Sequence, residues 1–263
     1  MEYTFPTDQH LKSGLHEVAE AIKDLNTSAT PVPEWDAEAG EFTIESIKRW
    51  LNANADGKLY GVDETLDAIQ TCDKVLANEG IDNPVPSTLT TPGTDPYRDL
   101  GPFRHYKIQG HIDDNGTWHV TGMEQFGNFD ETDGRDIFEL APVRYVSHGM
   151  AGAKYRTINS DRPHVGLMPE ERSVKPDGTL EPFMCRAVYA ASRSEDGKPQ
   201  SVPGARLWNF TCSHNSMLEA AKKKGKSYSG YTAADYDYLY EMYLLKYANK
   251  SSQTVFAGCT GHT

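Results

Sequence analysis

The chain has 263 residues, enough to bury one large core or two smaller ones. Its 38 acidic residues outnumber 26 basic ones, for a formal net charge of −12. That balance argues against a nucleic-acid partner, which needs a clustered basic footprint, and against docking on an anionic membrane.

No apolar run approaches the ~18 residues of a spanning helix, so no membrane insertion is expected. The start, MEYTFPTDQH, lacks the basic and apolar regions of a secretory leader, and the sequence reads as a soluble chain without one. Cys72, Cys185, Cys212 and Cys259 are spaced by 113, 27 and 47 residues, so there is no C-x-x-C pair. Four reduced, mostly buried thiols are the expectation. The basic runs Lys222-Lys223-Lys224 with Lys226, and Lys48-Arg49, read as solvated helix ends.

In chain order, residues 9–25 read as a helix. Leu11, Leu15, Val18, Ile22 and Leu25 are spaced 4-3-4-3, a heptad seam that Thr7 or Asp8 could cap. It covers about two heptads, short of a full coiled coil. Such a seam packs on its own domain or forms a short oligomerisation or anchoring helix. Residues 26–43 are rich in Pro, Ser, Thr and acid, and read as a linker. A helix follows over 44–54, with Ile44, Ile47, Trp50 and Leu51 on one face, and Asp56-Gly57 ends it. Another helix is expected over 63–78, closed by Gly80. Residues 82–102 are punctuated by proline, as a boundary or a long ordered loop.

From Phe103 the period changes to two. HYKIQGHIDDNGTWHVTGM alternates on either side of Asn115-Gly116, the strongest short-range hairpin signal. IFELAPVRYVSHG is strand-like, and further turns fall at Pro176-Asp177-Gly178 and within RSEDGKPQ. Residues 103–208 are therefore expected to be β-rich hairpins rather than βαβ units. Two helices close the pattern: SHNSMLEAAKKKG, and a second with Thr232 and Asp235 as a capping-box pair. The second is apolar nearly all round, which predicts burial on every side. Leu239, Met242 and Leu245 are expected in the core, with Asp237, Glu241 and Lys246 nearer water.

Chemistry-bearing motifs are sparse. DETDGRD places Asp130, Thr132, Gly134 and Asp136 like the front of a calcium loop, but Thr132, Gly134 and Ala141 occupy positions that need ligands. An acidic turn is the better reading. Cys212 and His214 could bind a metal with His148, His164 or His262, yet nothing fixes such a set, and helix capping by Ser213 or Asn215 explains CSHNS better. No nucleophile elbow, metalloprotease helix or phosphate loop is present. No catalytic residue, metal site or cofactor is assigned, and no ligand-binding residue can be named. The acidic residues leave a two-carboxylate glycosidase open.

RPHVGLMPEERSVKPDGTLEPFMCRAVYAAS and SHNSMLEAAKKKGKSYSGYTAADYDYLYEMYLLKYANKSSQTVFAGCT resemble structural proteins of tailed bacteriophages and prophages. The features that carry the resemblance are the D-G-T-x-x-P-[FY] hairpin, the S-H-N helix start, the DYLYEMYLLKYANKSSQ helix and the G-C-T after it. LYGVDETLDA and GTDPYRDLGPFRHYKI resemble the same family's leading segment. The likeness covers about residues 58–263, and residues 1–57 fall outside it. It implies a virion component, with a C-type-lectin-like fold of the formylglycine-enzyme and tropism-determinant type. In that fold further strands follow the tyrosine-rich helix, so the chain is expected to be a short member or the front of a longer protein.

The expected fold class is thus α+β: an N-terminal helical anchor and linker over 1–57, then a β-rich domain with a buried helix over 58–263. The expected function is a non-enzymatic fibre or tail-tip protein that displays loops for host attachment. Its partners would be other virion proteins, further copies of itself (a trimer favoured), and a host-surface glycan or protein. Leu11, Leu15, Val18, Ile22 and Leu25 are the expected oligomerisation or anchoring residues. A glycan-cleaving virion hydrolase and a head-decoration or neck protein are the alternatives.

Overall fold

The computed structural model describes residues 30–66, 70–88, 90–208 and 213–255. The helix expected over 9–25, with its seam, lies outside these residues, as do Cys212, Cys259 and His262.

The described chain is α+β, and all of its strand pairings are antiparallel. The strands are β1 (Trp35–Asp36), β2 (Glu41–Phe42), β3 (Tyr60–Thr65), β4 (Cys72–Leu76), β5 (Tyr106–Ile112), β6 (Trp118–Met123), β7 (Ile137–Ala141), β8 (Tyr145–Ala151), β9 (Lys154–Ser160), β10 (Met168–Pro169), β11 (Met184–Ala187), β12 (Ser192–Arg193) and β13 (Pro199–Gln200). The helices are α1 (Ile44–Ala53), α2 (His214–Lys224), α3 (Ala233–Tyr247) and α4 (Ser252–Val255). One sheet runs β1-β2-β6-β5-β7-β11, a second β10-β8-β9-β3-β4, and β12-β13 form a separate ribbon.

Each large sheet carries its own apolar cluster. α1 presents Ile47, Trp50 and Leu51 to Phe42, Ile108, Val120, Leu140 and Phe183 of the first sheet and its flanks. The second sheet turns Tyr60, Val62 and Cys72 toward Tyr97, Phe103 and the α3 residues Tyr238, Met242, Leu244 and Leu245. The long loop over 82–102 is ordered by this second cluster. Buried Tyr97 donates its hydroxyl to Asn78 Oδ1 at 2.7 Å, and Asn78 Nδ2 donates to the carbonyls of Gly61 (3.0 Å) and Leu245 (2.8 Å).

Two expected elements are corrected. From Trp35 the linker read over 26–43 is a β-hairpin on the edge of the first sheet, because Phe42 pairs with Val120 and is buried. The helix read over 63–78 is instead the strand pair β3–β4, in register from Tyr60↔Leu76 to Glu64↔Cys72. Its apolar spacing suits a helix. Pairing of β3 with β9 on its other edge, and the Asp63–Arg156 ion pair across that seam (2.6 and 2.8 Å), decide for strand. Tertiary pairing here overrides local preference.

Other elements match their signals. Asn115-Gly116 turns the β5–β6 hairpin, with Gly116 at φ 82°. Ser213 Oγ accepts from the Ser216 amide at the start of α2, and Thr232 and Asp235 form the full capping box of α3. α3 is buried on one side only. Tyr236 and Tyr240 are exposed and Leu239 is half-buried, so burial on every side does not hold. The tyrosine positions divide accordingly: Tyr238 packs in the core, while Tyr236 and Tyr240 lie on the opposite, exposed side.

Candidate functional site

The β6–β7 loop is built on a buried side chain. Gln109, in β5, sits where the register with β6 shifts, next to Gly110. Its Nε2 donates to the Asp130 carbonyl (2.7 Å) and to Asp133 Oδ1 (3.0 Å), and its Oε1 accepts from the Asp130 amide (3.0 Å). The amide thereby satisfies backbone groups that would otherwise need water, and it fixes the loop from beneath. Gly122 lets the loop approach β6, since a Cβ there would collide with the Asn128 carbonyl oxygen.

The loop is also cross-braced above. Asp130 Oδ1 accepts from the Thr132 amide (2.8 Å) and hydroxyl (2.7 Å), which holds its carboxyl below the usual range. This is the acidic turn expected of DETDGRD. Asp133 is partly desolvated, which works to raise its pKa; its bonds from the Arg135 amide and guanidinium outweigh that and lower it. Arg135 donates through Nε to Asp133 (2.6 Å), through Nη1 to the Thr121 carbonyl and hydroxyl (3.3 and 3.1 Å), and through Nη2 to the Asn128 carbonyl (2.8 Å).

Between this loop and the β1–β2 hairpin lies an open groove of about 500 Å³, lined by Trp35, Gly40, Thr121, Asn128, Phe129, Asp130 and Arg135. Its size falls in the range of small-ligand sites, roughly 300–1,000 Å³. Trp35 is 40% exposed and rests edge-on against Phe42, with ring centroids 5.1 Å apart.

A second polar cluster is enclosed. Arg144, fully buried, donates through Nε to Glu170 (2.6 Å) and through Nη1 to Asn159, and lies 3.4 Å from Glu241. Glu170 also accepts from Arg172 (2.5 Å). The Tyr238 ring is flanked by the guanidinium carbons of Arg144 (4.4 Å), Arg172 (3.9 Å) and Arg186 (5.4 Å). The space among Glu139, Arg172, Cys185, Arg186 and Tyr238 has no room for a water-sized guest. The cluster joins α3 to both sheets and offers no substrate access. Glu241, expected near water, is largely buried and accepts from His148 at 2.8 Å. Burial pushes the Cys185 thiol far up, and Cys72 to about 11.

Asp56 and Asp161 form the nearest thing to a carboxylate pair. Burial, then the neighbouring Asp56, raises Asp161. Its oxygens accept from the Asp56 and Gly57 amides (3.1 and 3.0 Å), while Asp56 accepts from the Lys58 amide (2.9 Å) and the Tyr60 hydroxyl (2.5 Å). Each of the four oxygens accepts one hydrogen bond that helps hold the turn after α1. Among the described residues no three His, Cys, Asp or Glu groups are placed to hold a metal. His164 bonds the Gly57 carbonyl, His148 bonds Glu241, and His214 opens α2. The three are not brought together as ligands.

Sequence reasoning missed Gln109 as a strut and Arg144 as the hub of a cluster. Gly110 inside a strand was the available signal for the first, since such a glycine marks a bulge. No local signal marks Arg144. Comparison with family models, curated proteins and solved structures finds no match to this chain.

Proposed function

We propose that this protein is a non-enzymatic structural component of a tailed-phage virion, a fibre or tail-tip part that holds rigid loops outward for host attachment. The observation that carries the reading is the braced β6–β7 loop beside Trp35: an open groove whose walls are fixed before any ligand arrives. Preorganisation of this kind lowers the ordering cost of binding. The motif resemblance supports the setting. Its D-G-T turn, S-H-N cap and tyrosine-rich helix coincide with a β-turn, the α2 cap and α3. A C-type-lectin-like arrangement belongs to the same proposal, with paired antiparallel sheets and α3 packed on one of them as its support.

In a particle, symmetric copies multiply weak contacts, so a shallow groove is sufficient for firm attachment. Antibody labelling of intact particles is expected to mark the tail tip or fibres, and excess purified protein to slow adsorption. Label on the head with no effect on adsorption would sink the reading. Because each oxygen of Asp56 and Asp161 accepts a hydrogen bond that holds the turn after α1, incubation with host cell-wall polysaccharide is expected to release no reducing ends.

A further inference from the structure

The groove beside Trp35 has a chemistry of its own. Asp130, exposed at the groove, accepts from Thr132 through Oδ1, and its Oδ2 accepts no hydrogen bond from the described residues. Asn128 is exposed at the groove, with its backbone held at φ 54°, and its side-chain amide can offer a donor and an acceptor. Trp35 supplies an exposed aromatic ring to the groove, whose lining also includes Phe129.

Arg135 is the groove's only lining cation, and it is occupied at Nε, Nη1 and Nη2. Its charge is paired with Asp133, and with Asp130 also present the two carboxylates outnumber the one guanidinium, so the groove carries a net negative charge. An anion would therefore meet repulsion and no free fork of donors.

A ligand that suits these groups has adjacent hydroxyls to give and accept hydrogen bonds, an apolar C–H face to lie on an indole, and no negative charge. We infer that this groove binds a neutral pyranose sugar, with hydroxyls on Asp130 Oδ2 and the Asn128 amide and the ring's C–H face on Trp35. The inference rests on the attachment reading for its biological setting and names the ligand class of that same site.

The full chain is titrated with methyl galactoside, methyl glucoside and glucuronic acid, followed by saturation-transfer NMR. Saturable binding of at least one neutral glycoside is expected, at least tenfold tighter than glucuronic acid. Asp130→Asn keeps Oδ1 for the Thr132 turn and replaces the free acceptor with a donor; it is expected to weaken binding at least tenfold, as is Trp35→Ala. Tyr236→Ala, on the exposed flank of α3, is expected to bind as the parent does. Thermal melts of each variant separate lost contact from lost fold, and Trp35→Phe, which retains an aromatic face, is expected to recover part of any Trp35→Ala loss. The inference is overturned by absence of saturable neutral-sugar binding, by a preference for glucuronic acid, or by unchanged affinity in a folded Asp130→Asn protein. Tail-tip labelling and adsorption competition without sugar binding would overturn the sugar and leave attachment standing; sugar binding with label on the head would do the reverse.

Discussion

Arg144 shows what a single residue contributes here. A guanidinium with no solvent contact is stable only because Glu170, Asn159 and Glu241 surround it and the Tyr238 ring lies against it. Removing it leaves Glu241 with His148 alone and Glu170 with Arg172 alone as counter-charges. Arg144→Met is expected to cost about 3–5 kcal/mol in urea unfolding, and neutralising Glu170 in the same chain to restore part of that. His148 gives the cluster a pH dependence. Its hydrogen bond to Glu241, then the Glu241 charge, raise it above 6.5 against the opposing effects of burial and Arg144; Asp237 adds to the rise. Burial works to raise Glu241, but the His148 bond and the Arg144 charge outweigh it and hold it below 4.5. A raised histidine contributes stability fully below its unfolded value, and loses it as pH climbs through the folded one. The melting temperature is therefore expected to fall as pH rises above about 6.5, and the fall to shrink in His148→Gln. An unchanged slope in that variant would remove His148 from the account. At the acid end the sign reverses: Glu241 contributes above its unfolded value and loses that as pH falls through the lower folded one.

Among the elements, α3 is the sharpest test of packing. Leu245 is fully buried, whereas Leu239 is half-buried at the margin of the same cluster. Leu245→Ala is expected to cost about 2–5 kcal/mol, and Leu239→Ala about half as much, since less area returns to water. Thr232→Ala breaks the capping box and is expected to cost about 0.5–2 kcal/mol. Melts that rank Leu239 above Leu245 would contradict this placement. The caps, α1 and the β5–β6 hairpin were legible in the sequence because each is decided within a few residues: Thr232 with Asp235, Ile47 with Trp50, Asn115 with Gly116. β3 and β4 were not. Leu66, Ile69, Cys72 and Leu76 are spaced 3-3-4 in sequence, a helical pattern, whereas Cys72 and Val75 pair with Glu64 and Gly61 of β3, whose other edge is held by the distant strand β9. The groove follows the same division. The Asp130 turn is written locally in DETDGRD, while the strut from Gln109 reaches partners more than twenty residues away, and the hairpin that carries Trp35 is held to the sheet by the distant pairing of Phe42 with Val120, which no local pattern encodes.

At the scale of the molecule, two sheets with separate apolar clusters are tied by α3 and the arginines around Tyr238. A single shallow groove on such a body would hold a sugar weakly, so attachment through it calls for several copies displayed together. The sequence offers one device for that, the seam Leu11, Leu15, Val18, Ile22 and Leu25. Two heptads are marginal as an isolated assembly, because helix nucleation is costly and an apolar stripe of that length is short. The expected trimer is therefore concentration-dependent in solution. Sedimentation equilibrium is expected to show a mass rising toward three times the 29.3 kDa chain as concentration increases. Leu15→Asp combined with Ile22→Asp places three like charges on the seam at each of two levels. That double variant is expected to remain at one chain at every concentration, and to bind sugar with the parent's affinity per groove. Its avidity for a surface coated with the same sugar should drop by at least tenfold, since the linked second and third contacts are gone. A parent protein that stays at one chain throughout, or a double variant that still reaches three, would remove the seam from the account of assembly.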